Sequence, residues 1–191
     1  MNSLYLVLDM QNDLVHPEGA SGASPLGRQI IERDIIMRTT AAIARARSAG
    51  CRVGFVRVAF SADHREIDPR SPVFGPIRKN GILKMGSWGA QVHESLGATA
   101  GDWDVVKHRV SPFFGTALEL LIRTERIERI YCSGVSTQAV VQAAIRDGHD
   151  RDLEMVLFED CCAAHSAEEH RNSIASLGRF CTVTNSELVF K

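Results

Sequence analysis

The chain reads as an α/β protein built on a parallel, Rossmann-like sheet covered by helices on both faces, and three observations predict it. Six short apolar runs recur along the 191 residues, near 4–8, 53–58, 103–107, 129–133, 153–158 and 181–184. Segments with apolar residues at helical spacing separate them. The runs are apolar throughout rather than alternating, as strands buried on both faces must be.

In chain order, Leu4 to Leu8 is the first strand and ends at Asp9; Gln11 to Gly27 then carries the Pro, Gly and Asn of a long loop. A helix is predicted over 29–49 from Ile30, Ile31, Ile35, Ile36, Ala42, Ile43 and Ala46, with Gly50 as its stop. Strand 53–58 leads into an excursion over 60–87 with three prolines and neither periodicity, which is expected to cover something. A short helix near 88–96, strand 103–107, a turn through Phe113 and Phe114, and a helix over 117–124 follow. Strand 129–133, helix 137–148, strand 153–158, helix 167–178 and a last strand near 181–184 complete the alternation.

Composition limits the partners. At 45% hydrophobic and 24% charged, residues 1–191 suit one domain with a sizeable core. The 22 Lys and Arg against 23 Asp and Glu create no field favouring nucleic acid or an anionic membrane, so a small molecule or another protein chain is expected. Five cysteines, at 51, 132, 161, 162 and 181, show no metal-binding spacing, and four of them lie in or just after apolar runs as buried free thiols do, which fits a reducing cytoplasm. Neither an export signal nor a stretch of membrane-spanning length is legible.

The stretch Ser133 to Asp147 organises the chemistry. It reads as strand, tight turn and helix, so free N–H groups and the positive end of a helix dipole face any ligand at the turn. Asp9 and Lys107 end two other strands, and in open parallel sheets ligands bind beyond such ends. A carboxylate and an ammonium gathered there can move a proton and stabilise negative charge. From spacing alone, Asp9 reads equally as a turn residue and Lys107 as a solvated strand end. Phe113, Phe114 and Trp88 are candidate apolar walls, and Arg65, Arg70, Arg78 and Lys79 lie in a charged excursion that could clamp a carboxylate or simply be solvated.

Leu8-Asp9-Met10-Gln11-Asn12-Asp13, Val106-Lys107-His108-Arg109, Phe113-Phe114-Gly115-Thr116, Ser133-Gly134-Val135-Ser136-Thr137 and Glu159-Asp160-Cys161-Cys162-Ala163 together resemble the isochorismatase-like hydrolase superfamily. That resemblance implies a three-layer α/β/α sandwich with a mainly parallel six-stranded sheet, a small-molecule substrate, and homodimers or homotetramers. It implies Asp9 and Lys107 as catalytic residues, Gln11 as a substrate contact, and a cis Val135–Ser136 peptide presenting N–H groups to an oxyanion. The amidohydrolase branch is similar in carrying G-V-x-T-x-x-C-V at the turn, whose cysteine position falls here on Val140. Valine has no lone pair, so acyl-enzyme chemistry at 140 is excluded. True isochorismatases also lack that cysteine and hydrolyse an enol ether by protonation. Only Asp63-His64 and a distant His93 resemble the metal ligands of the nicotinamidase branch, so neither metal nor cofactor is expected. Three readings stay open: a hydrolase using Asp9 and Lys107 without a thiol, a silent member that binds a metabolite or serves assembly, and a cysteine-type amidohydrolase with a replaced nucleophile.

Overall fold

In a computed structural model that describes residues 2–190, β1 (Asn2–Leu8) lies at the centre of the sheet. Its side chains alternate, Leu4, Leu6 and Leu8 entering one core and Tyr5 and Val7 the other. Both faces are therefore apolar, and helices cover both. The sheet has six parallel strands in the order β3-β2-β1-β4-β5-β6, with β2 Arg52–Val58, β3 Trp103–Lys107, β4 Ile127–Val135, β5 Glu154–Ala163 and β6 Thr182–Thr184. This is the three-layer α/β/α sandwich the apolar runs predict. The order reverses between β1 and β4, so the ends of those two strands flank a crevice.

The helices depart from expectation in instructive ways. The segment expected to be one helix over 29–49 is two, α2 (Pro25–Glu32) and α3 (Ile35–Ser48), because Asp34 takes a left-handed conformation at φ 53°. The break frees Arg33, whose guanidinium reaches the carbonyls of Glu159 and Cys162, each at 3.1 Å. Ser24 caps α2 by accepting from the Gly27 N–H, and Pro25 occupies the first turn, where its missing donor costs nothing. Gly50, at φ 72°, ends α3 as expected.

The loop after β1 contains a single turn, α1 (Asn12–Val15), and the 60–87 excursion contains α4 (Gly75–Asn80). The helix expected near 88–96 is two 3₁₀ turns, Trp88–Ala90 and Glu94–Leu96. Helix α5 (Leu118–Thr124) packs Leu118 and Ile122 inward. After β4 comes one wide turn, Thr137–Val141, in which the Val141 N–H reaches the Ser136 carbonyl, and then α6 (Gln142–His149). Helix α7 (Ala167–Leu177) opens on Ser166, which accepts from the Glu169 N–H as a capping box directs. Strand β5 runs past Phe158 to Ala163, with a register shift that carries Cys132 opposite Leu157 but Gly134 opposite Cys162. Cys161 and Cys162 thus lie within the strand rather than beyond it.

The closest constraint at the crevice is Gly134, at φ 145°, where a Cβ would sit 2.2 Å from the Leu8 carbonyl oxygen. Replacing Gly134 by Ala is expected to cost roughly 3 kcal/mol or more through strain and overpacking between β1 and β4. A urea midpoint equal to wild type would show that this spacing is not limiting.

Candidate active site

Asp9 is the first residue beyond β1, in the left-handed region that Asp tolerates better than most, at φ 55°, and its N–H is held by the Val56 carbonyl at 2.9 Å. Lys107 ends β3, two strands away, a span of about 10 Å that demands a long side chain. Its Nζ lies 2.9 Å from Asp9 Oδ2 and donates to the Arg109 carbonyl at 2.9 Å. Both residues are buried, Lys107 being 2% exposed and Asp9 5%. Asp9 Oδ1 has no protein hydrogen-bond partner among the described residues.

Two effects compete at Asp9. Burial, the larger, pushes its pKa above the ordinary 3.8, while the charge and hydrogen bond of Lys107 pull it down without cancelling that rise. The carboxyl group therefore holds its proton to higher pH than a solvated one.

Asp9 and Lys107 open into a cavity of about 360 Å³ that Val135, Ser136 and Val140 also line. The Val135–Ser136 peptide is cis. Val140, 2% exposed, belongs at once to this wall and to the core beneath it. Val73, Phe74, Ile77, Ile82 and Leu83 of the excursion form the opposite wall, so that segment does cover something.

Four residues expected to contact the substrate do not line this cavity. Gln11 is fully buried, donating to the carbonyls of Val58 and Ala90 and accepting from the Val58 N–H, so its amide is consumed in pinning strand ends. Phe113 packs in the core with Arg151 4.5 Å over its ring, and Phe114 is 67% exposed. Trp88 is half-exposed and lies edge-on to His16. None of the four lines the cavity. Asn12 and Asp13 share the work of Gln11: Asn12 donates to the Trp88 carbonyl and Asp13 accepts from the Leu83 N–H.

Among the described residues no cysteine lines the cavity. Cys161 and Cys162 are fully buried, and burial pushes the Cys161 thiol up to about 12 and Cys162 well above its ordinary value. Both stay protonated at neutral pH and are poor nucleophiles. No three His, Cys, Asp or Glu side chains among the described residues gather as metal ligands; His64 is spent on the Ile82 carbonyl and Asp63 on Arg65.

Sequence comparison matches residues 3–187 to the isochorismatase domain. The chain belongs to the isochorismatase family. It is 36% identical over 141 residues to the uncharacterized isochorismatase family protein YecD of Escherichia coli O157:H7, covering 74% of this chain and 73% of that one. A cysteine hydrolase from Pseudomonas syringae superposes with a TM-score of 0.87 at 23% identity, covering 99% of this chain and 91% of that one. N-carbamoylsarcosine amidase from Thermoplasma acidophilum does so at 0.77 and 24%, covering 98% of each. At such identities these two structures share the fold. No helix among the described residues is long and apolar enough to cross a membrane.

In this isochorismatase-family chain a second polar chain supports the turn over the cavity. Thr137 Oγ1 lies 2.9 Å from His170 Nδ1, and His170 Nε2 lies 3.1 Å from Glu159 Oε1, which Arg33 also holds at 3.1 Å. His170 is buried; its spacing with Ser173 and Leu177, the inner face of α7, is the sequence signal that could have found it. His165 is exposed but does line the cavity, which no periodicity announces.

The hydrogen bond from His170 and the charge of Arg33 hold the Glu159 carboxyl down to about 2 against the opposing effect of burial. Its stabilising contribution is present above its ordinary value of 4.5 and lost as pH falls toward about 2. The acid-side loss of stability across that window should shrink in Glu159→Gln, measured by thermal denaturation at stepped pH. An unchanged slope would remove the His170–Glu159 contact from the account.

Proposed function

We propose that this isochorismatase-family chain hydrolyses a small molecule with the Asp9–Lys107 pair and without a cysteine nucleophile. The observation that carries the reading is Asp9 itself: a buried carboxyl group, shifted toward its protonated form, opening on a cavity where position 140 offers only hydrocarbon. Such a group is a general acid.

Hydrolysis of an enol ether needs no more. Asp9 gives its proton to the terminal vinyl carbon, whose π electrons form the new C–H bond and leave an oxocarbenium ion. Water adds to the cationic carbon, returning a proton to the Asp9 carboxylate, and the hemiketal or hemiacetal collapses to a carbonyl compound and an alcohol. Lys107, 2.9 Å away, stabilises the carboxylate in the interval after the proton leaves. The buried setting strengthens that attraction and keeps the ion pair from competing water. The burial of Val140 in the core favours, as a second reading, a silent member that binds a metabolite in the same cavity.

On a panel of enol ethers, Asp9→Asn should lower kcat/KM about 100-fold or more. Wild-type turnover should fall as pH rises through the raised Asp9 pKa, because the acid form is the active one. A rate that instead rises through that pKa would make Asp9 a base, and undiminished turnover in the variant would remove it from the reaction. No turnover by the wild type on the whole panel would leave the binding reading.

Val140→Cys places a thiol on the cavity wall, and should make the protein react with iodoacetamide faster than the five native cysteines do and confer turnover on small amides or esters. Labelling without turnover would argue against a replaced amidohydrolase site.

A further inference from the structure

The walls of this cavity restrict what can enter it. Besides Asp9 and Lys107, its polar side chains are Ser21, Ser136 and His165, and the rest of the wall is apolar. Among the described residues no arginine lines it, and Lys107 is its one lysine. That lysine is already engaged by Asp9 and by the Arg109 carbonyl. None of the cations of the excursion, Lys84 included, lines the cavity. Arg65 pairs with Asp63, Arg70 with Asp68, and Arg78 donates to the Ile67 carbonyl, while Lys79 is exposed outside the cavity. Arg109 turns its guanidinium to the carbonyls of Glu66 and His108. His165 lies 4.0 Å from Glu169, which would share any charge it carried.

An anion entering here would lose its water and meet no cation but Lys107, which is buried and held in place by Asp9 and the Arg109 carbonyl, a cost an apolar wall cannot offset. An uncharged molecule meets the opposite balance: its body removes the side chains of Val73, Ile77 and Ile82 from water, and Ser136 and His165 offer hydrogen bonds to a polar end. We infer that the molecule held beside Asp9 is uncharged, with an apolar body and one polar end, and that carboxylates and phosphates are rejected. This takes from the proposed function only that the cavity at Asp9 is the substrate site.

Binding and reaction can be read apart with two matched pairs. Benzyl ethyl ether and 2-(benzyloxy)propanoate resist hydrolysis and report binding by calorimetry; benzyl vinyl ether and 2-(benzyloxy)acrylate report turnover. The neutral member of the first pair should bind at least about tenfold more tightly, the scale of one charge-assisted contact. Val73→Lys, at a 53% exposed position on the cavity rim, should narrow that preference about tenfold by supplying the missing cation. Met37→Lys, in the separate apolar groove of α3, should leave it unchanged. Tighter or equal binding of the carboxylate overturns the inference, as does failure of the neutral ether to bind or an effect of Met37→Lys equal to that of Val73→Lys. Preferred binding of the neutral ether without turnover of either vinyl ether upholds the inference and sinks the catalytic reading alone.

Discussion

The ion pair between Asp9 and Lys107 is the constraint on which the rest of the crevice depends. Removing two charges from water costs several kcal/mol per ion, and their attraction offsets this only when geometry is good. A buried pair is therefore a poor device for stability, and packed hydrocarbon of the same volume would serve as well or better. What it secures is position: one carboxyl group held at the mouth of β1 by a lysine that spans β2 to reach it. The left-handed backbone at Asp9 and the glycine at 134 serve the same end, bringing the ends of β1 and β4 close enough for the turn beyond β4 to overhang the carboxyl group.

The polar residues next to Asp9 act at one remove. Gln11, Asn12 and Asp13 do not face the cavity; their amides and carboxylate bind the backbone of Val58, Ala90, Trp88 and Leu83. A motif that reads as a cluster of functional groups thus divides its labour, one residue to the crevice and three to fastening its roof. That roof is what gives the cavity its apolar lining, since Phe74, Ile77 and Leu83 belong both to it and to the small core beneath the excursion.

On the far side of the turn, the chain Arg33–Glu159–His170–Thr137 ties three layers together. It exists because α2 and α3 are separate helices and because β5 shifts register, two irregularities that aim Arg33 and Glu159 at one another. An unbroken helix over 29–49 and a regular β5 would leave Thr137 without this support.

Much of the architecture was legible in the amino-acid order. Apolar runs bounded by polar segments of helical period admit few arrangements other than a covered parallel sheet, because backbone hydrogen bonds must be satisfied and both strand faces buried. Strand ends are legible for the same reason, which is how Asp9 and Lys107 stand out as residues of one edge. The break at Asp34 was not, since apolar spacing continues across it, nor was the burial of Gln11, because a loop has no period to say which way a side chain turns. The aromatic residues Phe113, Phe114 and Trp88 carried a chemical type but no direction, and the fold turned each away from the cavity. Tertiary structure alone decided the balance at Asp9, for composition reveals that a lysine is available but not how little water surrounds the pair, and it is the missing water that raises the carboxyl group's affinity for its proton.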